Sequence, residues 1–272
     1  MDLQNALDLL FRDYFHTVSS PAQQLIRTDI FTDPDEHYYL TFLAQQDGQT
    51  VLLDQNGKCL YAADKILPLF LPEQHEGDLA SAYQIRHRNQ FGIISPDGNY
   101  LIEPEYSHIK ALAVSHAYVQ SQRFPMGRKI GQGEMFVCSR NAPGNQSIDI
   151  YNMTGDHLFC DLSGFYPYQQ HTPSAEQRFL TETVSFCVIS KDQQGQVQNR
   201  LYQTEELLQR QAASLSWRYV PPAYYCRKPP ERLLRCLLPM AHLLGEKYNL
   251  TGCEILHNLP LYPHLRENIR HS

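Results

Sequence analysis

The chain has 272 residues, 42% of them hydrophobic, 11% aromatic and 19% charged. That is enough apolar material for one large domain or two small ones, and it excludes a disordered chain or one that needs a disulfide or metal staple to fold. The formal charge of −6 argues against nucleic acid, whose binding is driven by clustered cations; even Leu201 to Ser272, with nine Lys/Arg against six Asp/Glu, carries an excess of only three.

Residues 2–15 place Leu3, Ala6, Leu7, Leu10, Phe11 and Phe15 at helical spacing, which predicts an amphipathic helix. Ser19, Ser20 and Pro21 break that period. The start carries an acid at position 2 and lacks the basic and long apolar regions of a targeting segment. No stretch approaches the ~20 apolar residues of a membrane span. Residues 38–43 (YYLTFL) read as a strand.

From there the chain repeats one design, a strand-like run, a short turn with glycine, and a second run. The first turn is Asp54-Gln55-Asn56-Gly57, the second Ser95-Pro96-Asp97-Gly98, the third Asn152-Met153-Thr154-Gly155. Glycine supplies the positive φ that tight hairpin turns demand. The glycines at 57, 98 and 155 are unequally spaced, so the third repeat carries an insertion, assigned to Phe124–Gly144. Residues 113–120, 134–138 and 183–189 read as further strands that close the units, and 191–196 as a turn. From Thr204 the pattern turns helical: residues 204–215 begin with Thr204 as the cap. Residues 231–248 form a second helix, broken at Pro239. A last short helix covers Leu250–Leu259.

The second repeat, Asn89 to Tyr106, resembles the WG-repeat family of bacterial proteins. The likeness rests on Gly92, Gly98, Pro104 and Tyr106, with Phe91 where the family usually has tryptophan. It extends over roughly residues 38–190. The resemblance implies a β-rich repeat module without a common enzymatic site. It also implies a protein-binding role, including immunity-type neutralisation of a cognate toxin.

The chemical residues support no catalytic, cofactor or metal site. No H-E-x-x-H, G-x-S-x-G, P-loop or dinucleotide fingerprint occurs. His87 lies between Arg86 and Arg88, whose charges oppose a metal ion. Cys160, three residues after His157, reads as a small buried hydrophobe. Glu103 and Glu105 lie on one side of a strand as polar surface, and Glu205-Glu206 suits a helix N-terminus. Gly127–Gly133 has glycines and two cations for an anion but no following helix, and reads as a loop. Seven cysteines, odd in number and without C-x-x-C, predict reduced thiols packed in a core and a cytoplasmic protein.

The segment that stands out is Trp217 through Lys228. Tryptophan, tyrosine and arginine are enriched at binding hot spots, which makes Trp217, Arg218, Tyr219, Tyr224, Tyr225 and Arg227 the candidate partner-binding residues. The competing reading packs these aromatics against the repeats. The sequence thus predicts a mainly β protein: an N-terminal helix or cap over 1–34, a β-hairpin repeat domain over 35–195 and a C-terminal helical region over 196–272, the two ends serving as caps. Repeat spacing fits a solenoid, an open barrel or a partial propeller equally. The expected function is non-catalytic binding of another protein, such as a toxin, with no nucleic acid, membrane or cofactor. The alternative is a small-molecule or glycan binder whose tyrosines line a pocket.

Overall fold

The computed structural model describes residues 3–33, 35, 37–69, 79–80, 82–119, 128–142, 145–173, 180–203, 206–207, 209, 217–219 and 240. It begins with helix α1 (Leu3–Val18) and continues almost entirely in antiparallel strands. The first meander runs β1 (Gln24–Thr32), β2 (Tyr38–Gln46), β3 (Gln49–Asp54) and β4 (Cys59–Ala63). Asp64 alone separates it from the second, β5 (Lys65–Leu69), β7 (Ala82–His87), β8 (Gln90–Ile94) and β9 (Tyr100–Tyr106), with the short β6 (Leu79–Ala80) outside the meander. Ser107 leads into the third, β10 (His108–Val119), β11 (Arg128–Ala142), β12 (Asn145–Asn152) and β13 (His157–Leu162). Ser163 leads into the fourth, β14 (Gly164–Pro173), β15 (Leu180–Lys191) and β16 (Val197–Tyr202). The last two meanders share one hydrogen-bonded sheet, because Ser115–Ala117 of β10 pairs with Thr181–Thr183 of β15.

The meanders stack face to face in chain order. Phe31, Leu43 and Leu52 of the first pack with Ile66, Tyr83, Ile85 and Ile94 of the second. Ile93, Ile102 and Tyr106 pack with Ile109, Phe136 and Tyr151 of the third. Met135, Ile148 and Ile150 pack with Phe165, Phe186 and Val188 of the fourth. Side chains alternate across a strand, so Ile93 and Ile94, or Met135 and Phe136, enter opposite cores. This explains why β2 and β3 are buried on both faces and read as continuous apolar runs.

The helix covers the outer face of the first sheet, with Phe15 edge-on to Phe42 at 5.3 Å. At the other end Leu207 is fully buried in the core of the fourth unit. Glu206 accepts from the Gln203 amide at 3.1 Å, as in the backward half of a capping box, and the expected cap Thr204 lies outside the described residues. The predicted helices over 231–248 and 250–259 lie outside the described residues, apart from Met240, which is helical and buried.

The three predicted turns share one hydrogen-bond pattern. In the first, Gly57 N–H donates to the Asp54 carbonyl and Asp54 N–H to the Lys58 carbonyl; the pairs Gly98–Ser95 with Ser95–Asn99, and Gly155–Asn152 with Asn152–Asp156, repeat it. A fourth copy occurs at Asp192–Gln196, with Gly195 in the same left-handed conformation. Each of the first three glycines also seats on what precedes it: Gly57 on the Val18 carbonyl, Gly98 on Leu60 and Gly155 on the Leu101 carbonyl. Leu60 and Leu101 are both three residues beyond a turn glycine, so the contact itself is a repeat. Gly195 faces open space.

Several local expectations change. Residues 128–133 are strand rather than loop: the insertion lengthens the β10–β11 hairpin, with pairing continuous out to Val119 and Arg128. Strands also extend past both bounds of the 35–195 segment, since β1 precedes it and β16 follows it. Among the described residues no helix is long and apolar enough to cross a membrane.

Candidate binding surface

Two carboxylates lie between sheets, and their surroundings limit what the interior can do. Asp29 on β1 accepts from the Tyr83 hydroxyl on β7 at 3.0 Å and pairs with Arg27; Tyr83 also meets Thr41 at 2.9 Å. Asp149 on β12 accepts from the Tyr106 hydroxyl on β9 at 2.7 Å, from the Asp161 amide at 2.8 Å and from Arg140. Arg140 lies over the Tyr106 ring at 4.4 Å and pairs with Glu105. Each cluster joins two successive units by a tyrosine–aspartate hydrogen bond.

The two carboxyls respond oppositely to these settings. Burial raises the Asp29 carboxyl above its usual range despite Arg27 and Tyr83. At Asp149 burial also pushes upward, but the Asp161 amide, Tyr106 and Arg140 together hold it below the usual range. Burial raises the Cys138 thiol beside them as well, so it is not a thiolate at neutral pH. These groups hold one another.

The surface differs at the end of the stack that carries the turns. Thr41 pairs with Asp54, so Tyr39, two residues before Thr41, lies beyond the 54–58 turn. Tyr39 is 40% exposed, donates to Asp33 at 3.1 Å and meets the Trp217 ring edge-on at 5.0 Å. Burial raises its hydroxyl, as do its hydrogen bond to Asp33 and the nearby charge of Asp97 in the next turn. Just past that turn, Tyr100 is 45% exposed. Its ring meets Tyr61 edge-on at 5.5 Å, and the two hydroxyls are hydrogen-bonded. Tyr61 reaches His87 Nε2 at 2.8 Å. Tyr61 and Trp217 pack against one and the same core beneath. The result is two aromatic pairs over one core, Tyr39 with Trp217 and Tyr61 with Tyr100, whose tyrosine hydroxyls are fixed by neighbours.

Of the predicted partner residues, Trp217 belongs to this surface and is half-buried in it. Arg218 and Tyr219 form β17 (Arg218–Tyr219), inserted between β1 and β6: Arg218 pairs with Thr32 and Ala80, Tyr219 with Phe31 and Leu79. Arg218 and Tyr219 therefore extend the first sheet. Tyr224, Tyr225 and Arg227 lie outside the described residues. Tyr39, Tyr61 and Tyr100 were not predicted; the tyrosine following each of the first two turn glycines was the available signal.

Other candidates resolve differently. His157 packs on Tyr151 at 4.1 Å. Cys160 is exposed, as is Cys59, which corrects the expectation of core-packed thiols; β13 slips register twice against β12, and such irregularities re-aim side chains. Cys138 is buried as expected. Asp33, Asp35 and His37 bring three ligand atoms within 4.8 Å, but Asp33 already accepts from the His37 amide at 2.8 Å and from Tyr39. Comparison with protein-family models, curated proteins and solved structures returned no match to this chain.

Proposed function

We propose that the chain is a non-catalytic protein-binding repeat protein whose contact surface is the turn-bearing end of its first two units. The observation that carries this reading is the exposed pair Tyr39 and Tyr100, each fixed by a second aromatic ring, Trp217 and Tyr61. Rigid, amphipathic aromatics supply contact area at low entropic cost, and they are the residues that dominate binding energies. The carboxylates between the sheets are committed to arginine and tyrosine partners, which supports binding over catalysis. The WG-repeat resemblance of residues 89–106 adds the kind of partner: a cognate toxin, neutralised by occlusion.

Tagged full-length chain incubated with extract of its source cell tests this reading. The expected result is one protein retained in stoichiometric amount by the wild type and reduced at least tenfold by Tyr39→Ser with Tyr100→Ser. A tenfold loss corresponds to ~1.4 kcal/mol, a modest demand on two aromatic contacts. Equal retention by wild type and variant places the contact elsewhere and defeats the proposal. If the retained protein arrests growth when expressed alone and not when co-expressed with this chain, the immunity reading stands; a harmless partner removes it.

A further inference from the structure

We propose that β16 is a homodimerisation strand, pairing antiparallel with β16 of a second copy about a two-fold axis at Asn199. The first observation is that the outer strands of the meanders, β4, β5, β9, β13 and β14, each carry an interruption and β16 carries none. Pairing slips on β4 between Cys59 and Tyr61, opposite Leu53 and Leu52 of β3, on β9 at two places and on β13 at two places; Pro68, Pro104 and Pro167 lie within β5, β9 and β14. Bulges and prolines are the devices by which proteins blunt sheet edges. β16 instead runs in unbroken register with β15 from Val197 to Tyr202. It also leaves Val197 61% and Leu201 54% exposed.

The parity of the strand shows which groups face outward. The Asp192 amide donates to the Gln196 carbonyl at 3.0 Å, and Lys191 then pairs with Val197 and Ser190 with Gln198. Hydrogen-bonded pairs alternate along an antiparallel ladder, so the even-numbered residues bond to β15. Val197, Asn199 and Leu201 turn their amides and carbonyls outward. The strand is self-complementary in that same parity. Centred on Asn199, a two-fold axis sets Val197 against the partner's Leu201, twice, with Asn199 against the partner's Asn199. On the opposite face Gln198 meets the partner's Arg200, so no like charges oppose. The apolar pairing and the hydrogen-bond parity select one register independently. A two-fold contact of this kind is the commonest symmetry of soluble oligomers.

Sedimentation velocity of the full chain over a concentration series reaching about 100 μM tests the proposal, a range suited to a small interface. The expected result is a species of twice the chain mass, lost in Leu201→Lys and in Asn199→Pro, which removes an outward donor. Both positions are exposed, and an unchanged circular dichroism spectrum confirms that the variants are folded. A second test fixes the register. Asn199→Cys should form a covalent dimer on mild oxidation, since a hydrogen-bonded pair sets Cα atoms ~5.5 Å apart. Gln198→Cys and the wild type should not. A wild-type monomer throughout the series, or a dimer that survives both edge variants, overturns the proposal.

Discussion

Replacing Gly155 with alanine is expected to cost ~3 kcal/mol or more, and replacing Gly195 only about 1–2 kcal/mol. Both residues are left-handed, with φ +89° and +78°, so each substitution carries the same backbone penalty. They differ in what a Cβ would meet. At Gly155 it would meet the Leu101 carbonyl of the preceding unit, main chain that cannot swing aside; at Gly195 nothing lies within 4 Å. Gly57→Ala should behave like Gly155→Ala, through the Val18 carbonyl at the end of α1. Urea titration of the variants measures the difference. Equal losses at Gly155 and Gly195 would mean that the turns do not seat on their neighbours.

The second large effect is expected at Arg140. Arg140→Met leaves Asp149 buried, its side chain 3% exposed, with two donors and no counter-charge. Breaking a buried pair from one side typically costs 3–5 kcal/mol. The lower end, about 3 kcal/mol, applies here because Arg140 is itself a third exposed and water screens the pair. The pH dependence has a definite sign. The Asp149 carboxyl is held below its unfolded range, so its contribution is present above the ordinary value of 3.8 and is lost as pH falls through the lower folded value. The variant should therefore be weakest against the wild type near neutrality and approach it in acid, where Asp149 is protonated. Asp29 has the opposite sign: raised by burial, its contribution is complete below 3.8 and declines as pH rises through the folded value. Asp29→Asn should accordingly be tolerated at neutral pH better than Asp149→Asn. Denaturation at several pH values gives both comparisons.

The hairpins were legible because their turns use residues with few alternatives. Asn56-Gly57 and Asp97-Gly98 announce positive φ, and α1 announced itself by period and by the serine–proline stop. The remaining strands had weaker signals. β1 places Arg27 and Asp29 inward beside apolar residues, so QLIRTDIFT shows no clean alternation. The Arg88-Asn89 turn puts a left-handed arginine, φ +56°, where no glycine marks it. The stack of four meanders could not be read from spacing, since the long β10–β11 hairpin looks like a loop insertion until its pairing is known.

Asp149 shows how far the repeat extends beneath unlike residues. It stands six residues before its turn glycine, as Gly92 stands six before Gly98. Sequence comparison treats aspartate for glycine as a mismatch. In the fold, Gly92 is compressed against β9, where a Cβ would lie 2.7 Å from the Ile102 carbonyl oxygen, whereas Asp149 reaches Tyr106 across the interface. One position serves two kinds of contact. The binding surface was half legible for a related reason: Trp217 drew attention by composition, but its partner Tyr39 lies 178 residues earlier.

Hydrogen exchange of the chain, free and with its captured partner, tests the central claim most directly. Binding at the turn-bearing end predicts slowed exchange in residues 38–40, 59–61, 99–101 and 217–219, with β8 and β12 unchanged. Slowing confined to other segments, with those four indifferent to the partner, would contradict the account.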